Sequence, residues 1–168
     1  NYGIAYGLSA FGLADRLQIS REEAADYIDR YFERFPAVRR FIDETIARAE
    51  KEGFVKTLMG RRRRIPQLRS NQRQRRLLGE RLAVNTVIQG TAADIIKLAM
   101  VRCHRALAEA GMRTRLVLQI HDELLFELPE SEVEATGALV RQVMESVATL
   151  RVPLAVEIGT GRTWAEAH

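Results

Sequence analysis

His121-Asp122-Glu123 puts an imidazole and two carboxylates side by side within TRLVLQIHDELLFEL, residues 114–128. Carboxylate oxygens are the donors that hard cations such as Mg²⁺ take, together with waters and substrate phosphates. If Glu123 begins a strand, Asp122 and Glu123 leave the backbone on opposite faces. One would then touch a metal ion directly while the other orients what holds it. A complete catalytic Mg²⁺ site would want a further carboxylate, and no obvious partner stands elsewhere in the chain. A second grouping is Arg81, Asn85 and Gln89, at positions i, i+4 and i+8. On a helix they line one face with a guanidinium and two amides, groups able to donate to the N3 and O2 acceptors of a DNA minor groove. The guanidinium can also hold a phosphate through two parallel hydrogen bonds. The plainer alternative is a solvated helix face. Tyr2 and Tyr6, four apart, share a face if helical, and a core-facing aromatic pair is the plainer reading there.

The elements that must position these groups are legible from pattern. Leu116–Ile120 and Leu124–Leu128 are short apolar runs rich in β-formers, and read as two strands turning at His121-Asp122. Two-residue hairpin turns favour Asn-Gly or a Gly, so His-Asp there suggests that something besides turn chemistry chose those residues. A longer solvated loop is the alternative. Upstream, Ser20 with Glu23 forms a capping box before a helix through Ala24, Ile28, Tyr31, Phe32 and Phe35. Pro36 ends that helix or opens the next, which Gly53 closes. Phe54–Met59 reads as a short strand, Ser70 as the cap of a basic helix to about Ile88, and Gly90 as its break. Thr91 with Asp94 reads as a fresh helix start running to Gly111, Ser131 with Glu134 as a third capping box, and Val152–Ile158 as a third strand. The fold class is α+β: mostly helical to about residue 73, then two or three helices backing a small antiparallel sheet that bears the His-Asp turn.

Composition bounds the class. The net charge is +4, but nine basic residues and no acidic one fall between Gly53 and Gly79, leaving 17 basic against 22 acidic elsewhere. A mildly acidic chain with one basic block points to a local polyanion site, with a solvated basic loop as the alternative. No apolar run approaches the ~20 residues of a membrane helix, and the N-terminus has no signal-peptide pattern. The single cysteine, Cys103, gives no disulfide framework, which suits a reducing cytoplasm. The chain opens at Asn1 in what reads as the middle of an element, as a piece of something longer would.

NYGIAYGLSAFGLA, then ERLAVNTVIQGTAADIIK, then LQIHDELLFELP, in that order, together with the tail VPLAVEIGTGRTW, resemble the C-terminal part of family A DNA polymerases. The resemblance covers the whole chain. It implies that residues 1–73 are the later part of the fingers subdomain and 74–168 part of the palm, with the His-Asp-Glu hairpin at 114–128. It further implies template-directed nucleotidyl transfer in DNA replication and repair, two Mg²⁺ ions in the complete enzyme, and primer-template DNA and deoxynucleoside triphosphates as partners. The remainder of the polymerase chain would be a further partner, and the setting the bacterial cytoplasm at the nucleoid, with no membrane. Residue by residue, Asp122 is the metal-binding palm aspartate, Glu123 its accessory carboxylate and His121 a contact to the primer terminus. Tyr2 and Tyr6 lie on the fingers helix over the incoming nucleotide, with Tyr6 stacking at the template position. Arg81 and Asn85 approach the template, and Gln89 the minor groove near the primer end. Tyr rather than Phe at position 2 implies tolerance of nucleotides that lack a 3′-hydroxyl. The family's triphosphate-binding Lys and Arg, four and eight residues before Tyr2, and its other metal-binding aspartate, thumb and exonuclease domain fall outside these residues. The isolated chain is therefore expected to be inactive. A non-catalytic nucleic-acid-binding module is the competing class, and a Mg²⁺-dependent nuclease, needing more acidic residues than the hairpin offers, ranks last.

Overall fold

The computed structural model describes residues 2–167, without the side chains of Tyr2 and Ala5. They pack as two compact units, 1–91 and 92–168. In the first, α1 (Tyr2–Ala5), α2 (Ala10–Leu17), α3 (Arg21–Arg34) and α4 (Pro36–Glu52) precede a hairpin of β1 (Phe54–Lys56) and β2 (Arg62–Arg64). A 3₁₀ turn (Pro66–Arg69) then leads to α5 (Arg73–Glu109), which runs on into the second unit. There β3 (Arg115–Ile120) and β4 (Glu123–Glu127) form a second antiparallel pair, followed by a 3₁₀ turn (Glu130–Glu132), α6 (Val133–Glu145) and α7 (Trp164–Ala167). No helix among the described residues is long and apolar enough to cross a membrane.

The helix boundaries follow from local chemistry. The capping box is complete: Glu23 N–H donates to Ser20 Oγ at 3.1 Å, and Ser20 N–H to Glu23 Oε2 at 2.9 Å. Pro36 occupies the first turn of α4, where its missing N–H costs nothing. Gly53 closes α4 at φ 79, a conformation that side chains with a Cβ resist. The core of the first unit joins Ala49 of α4, Val55, Ile65 and Leu68 to Ala83 of α5, with Leu82 and Val87 packed against it.

Four sequence expectations are corrected. Gly90 does not break α5, and Thr91 does not start a helix. The Thr91 hydroxyl instead donates back to the Val87 carbonyl and accepts from Leu58 N–H at 3.0 Å. A Cβ on Gly90 would meet Thr57 Cγ2 at 2.8 Å, so the glycine marks the close approach of the β1–β2 connection to a continuous helix. Val152–Ile158 forms no strand. Pro153 lacks a ladder donor, and Val156 N–H goes to Glu145 Oε1 of α6 at 3.2 Å. Ser131 caps nothing, because it lies inside the 3₁₀ turn ahead of α6, whose start carries no side-chain cap.

That turn aims its own anchor at β3. The Glu132 carboxylate accepts from Arg113 N–H and Thr114 N–H, each at 3.1 Å, and from Thr114 Oγ1 at 2.8 Å. Thr114 also meets Thr136 of α6 at 2.8 Å. The Thr114 hydroxyl first, then the Arg113 amide, hold the Glu132 carboxyl below the usual carboxylate range. A carboxyl depressed in the folded state stabilises the fold above the unfolded glutamate pKa of about 4.3, and that contribution fades as pH falls through its lower folded value. Glu132→Gln should therefore lower the melting temperature at neutral pH, with the gap to the unaltered chain closing on titration towards pH ~3. A gap that stays constant with pH would show that the carboxylate charge does not matter.

Candidate functional site

The hairpin tip is built as the sequence suggests. Ile120 pairs with Glu123, leaving His121 and Asp122 as a two-residue turn. His121 adopts φ 52, left-handed backbone that costs a non-glycine residue about 1 kcal/mol. Gln119 holds the turn by donating from Nε2 to the His121 carbonyl at 2.6 Å. A turn selected for ease alone would place Gly or Asn there, so the imidazole occupies a costly position at the tip. A register shift between Leu116 and Leu118 bulges β3 against β4, and bulges sharpen twist and re-aim the side chains beyond them. His121, Asp122 and Glu123 are all exposed.

Trp164 of the short α7 lies beside this turn. With Ile120, Glu123, Leu124 and Leu125 it lines a cavity of about 30 Å³, room for roughly one water. The tail that delivers it is held on α6 at Glu145, and Arg162 N–H donates to Glu166 Oε2 at 2.8 Å at the start of α7. Sequence reasoning left Trp164 in the tail without a role. Its only signal was being a lone aromatic after two glycines.

The second candidate group belongs to the first unit. Arg81 and Gln89 are exposed on α5, and Asn85 between them is half-buried. Asn85 Oδ1 is buried without a hydrogen-bond partner, an arrangement that costs about 1–3 kcal/mol unless something else satisfies it. Arg81 lies against the turn after α1: a Cβ on Gly7, at φ 84, would meet Arg81 Cγ at 3.0 Å. The structure thus brings the Tyr6–Gly7 turn and Arg81 together. The Tyr2 side chain lies outside the described residues. The hairpin carboxylates belong to the other unit, 92–168.

Asp122 and Glu123 fit a hard divalent cation as donors: two adjacent carboxylates at an exposed, braced turn, able to share an ion with waters and phosphates. Among the described residues no cluster of three or more His, Cys, Asp or Glu could hold a metal by itself. The pair alone offers too few donors for such a cation, and would need ligands from elsewhere to complete a site.

Comparison with known proteins converges on one family. The family model described as DNA polymerase family A matches residues 1–166. DNA polymerase I of Bacillus caldotenax is 49% identical over 167 residues, 99% of this chain and 19% of the relative. That of Chloroflexus aurantiacus is 52% identical over 166 residues, 98% of this chain and 18% of the relative. The POL domain of Pol1 from M. smegmatis, solved in complex with DNA primer-template and dNTP, superposes with a TM-score of 0.96 at 49% identity. It is matched over 99% of this chain and 29% of its own. The chain spans about a fifth of the length of the curated relatives it matches.

Proposed function

The chain belongs to DNA polymerase family A, and on that premise we propose that it supplies part of the active site of a DNA-directed DNA polymerase. Residues 1–73 are the later part of the fingers and 74–168 part of the palm, a division by role that differs from the packing boundary at Thr91. The partners are primer-template DNA, deoxynucleoside triphosphates and the rest of a polymerase, in the bacterial cytoplasm at the nucleoid. The observation that carries the reading is the braced two-residue turn, which holds His121 in a costly conformation and leaves Asp122 and Glu123 exposed beside it.

Asp122 would hold a catalytic Mg²⁺, with Glu123 alongside to orient it. A pair of such ions would supply charge stabilisation for attack by the primer 3′-hydroxyl and for the departing pyrophosphate. His121 contacts the primer terminus from the turn. Tyr2 and Tyr6 sit over the incoming nucleotide, and Tyr6 stacks at the template position. Arg81 and Asn85 approach the template, and Gln89 reaches the minor groove near the primer end. Minor-groove acceptors are nearly independent of sequence, so contacts there check pair geometry without reading the base.

Single-nucleotide extension tests the reading. The 168-residue polypeptide with Mg²⁺ should extend no primer. The same segment grafted in place of its counterpart in a related DNA polymerase I should restore template-directed extension. Extension by the polypeptide alone would overturn the division of labour. A correctly folded graft that binds primer-template but adds no nucleotide would favour a non-catalytic binding module.

A further inference from the structure

The basic block between Gly53 and Gly79 resolves into residues with different tasks. In the β1–β2 hairpin, Phe54 pairs with Arg64, Val55 with Arg63 and Lys56 with Arg62. Alternation along paired strands puts Phe54, Lys56, Arg62 and Arg64 on one face and Val55 and Arg63 on the other. The Val55 face is the one turned to α5: Val55 is 5% exposed, and Arg63, itself still exposed, donates from Nη1 to Thr86 Oγ1 of α5 at 2.9 Å. On the outer face the Phe54 ring carries two cations, Arg62 Cζ at 5.0 Å and Lys56 Nζ at 5.5 Å from its centroid.

Like charges directly opposite in an antiparallel pair destabilise it. Lys56 and Arg62 stand in that relation, and the ring between them offsets the repulsion only in part. Among the described residues no carboxylate makes an ion pair with Lys56, Arg62 or Arg64. Charged residues protect exposed strand edges from aggregation, but either sign does that, and opposite signs across the pair would do it while stabilising the hairpin. Folding alone therefore leaves three clustered, like-signed, outward cations unexplained. A polyanion explains them.

We propose that Lys56 and Arg62, held over the Phe54 ring, together with Arg64 on the same face, form a contact surface for the phosphodiester backbone of DNA, separate from the Arg81–Asn85–Gln89 face. Arg63 is not part of that surface. It is the hairpin's tie to α5. The proposal rests on the chain being a DNA-binding part of a polymerase, but it is tested without nucleotide or extension, so the two readings fail separately.

The experiment is a salt titration of the 168-residue chain against labelled primer-template DNA. Each phosphate contact contributes about 0.7 to 0.9 to the slope of log affinity against log salt. Arg62→Gln, Arg64→Gln and Lys56→Gln should each flatten the slope by about that amount, with Arg62→Lys restoring it. Arg63→Gln should leave the slope unchanged and lower the melting temperature. Unchanged slopes for Arg62→Gln and Arg64→Gln would overturn the proposal. So would a slope lost equally on Arg63→Gln.

Discussion

Replacing Asp122 with Asn, in a polymerase carrying this segment, should lower single-nucleotide extension by at least about 10³-fold, or roughly 4 kcal/mol of transition-state stabilisation. Binding of primer-template should barely change. The amide keeps the shape of the side chain, so the turn braced by Gln119 should stand. It loses the negative charge that, on the proposed role, would hold a hard cation among phosphates. Glu123→Gln should be milder, about 10- to 100-fold, as expected for a group that orients a metal-holding residue. Rapid-quench extension and an anisotropy binding curve on each variant separate chemistry from affinity. If Glu123→Gln were the more damaging, the roles of the two carboxylates would be exchanged. If Asp122→Asn lost DNA binding as steeply as extension, Asp122 would be part of the DNA contact instead.

The second large effect is on stability, at Gly79. Glycine inside a helix is about 1 kcal/mol less favourable than alanine, so Gly→Ala in α5 would ordinarily stabilise. At Gly79 a Cβ would stand 2.8 Å from the backbone nitrogen of Leu68 and 3.1 Å from the backbone carbon of Gln67. Those atoms belong to the 3₁₀ turn Pro66–Arg69, whose Leu68 is 6% exposed in the core of the first unit. Backbone cannot swing aside as a side-chain tip can, so the helix or the turn must move. Gly79→Val should cost about 3 kcal/mol, at the upper end of overpacking penalties, and Gly79→Ala should also destabilise. Gly137 of α6 is the control. A Cβ there would meet only the Ile158 side chain, at 3.6 Å, so Gly137→Ala should stabilise by up to about 1 kcal/mol. Urea denaturation followed by circular dichroism reads both, as midpoints moving in opposite directions. Stabilisation by Gly79→Ala would show that the turn yields at no cost.

What the sequence made legible was what neighbouring residues decide among themselves. Ser20 and Glu23 cap each other across three positions, Gly53 closes its own helix, and Leu116–Ile120 meets Leu124–Leu128 across two residues. The errors arose where a distant group outbid the local signal. Thr91 has a capping residue's chemistry, but Leu58, 33 positions away, uses its hydroxyl. Glycine at 90 is a helix breaker in isolation, and here it makes room for Thr57. Glu145 takes the Val156 amide that a third strand would have used. At the candidate site, residue types and spacing were readable for Asp122, Glu123, Arg81, Asn85 and Gln89. The tie of Arg63 to α5, in a run of four arginines, was not, because it depends on the register with β1 and on the hydroxyl of Thr86.

Trp164 is the only tryptophan in the chain, and it shares its small cavity with Glu123. Indole emission from this polypeptide is therefore a one-site optical signal, with its source in the neighbourhood of the hairpin carboxylate and no label required. A melting curve followed by that emission reads residues 92–168, whereas circular dichroism reads the helices of both units. Coincident curves would mean that the two halves unfold as one cooperative body. Curves that part on Gly79→Val, with ellipticity lost before fluorescence, would mean that the hairpin half stands without the other.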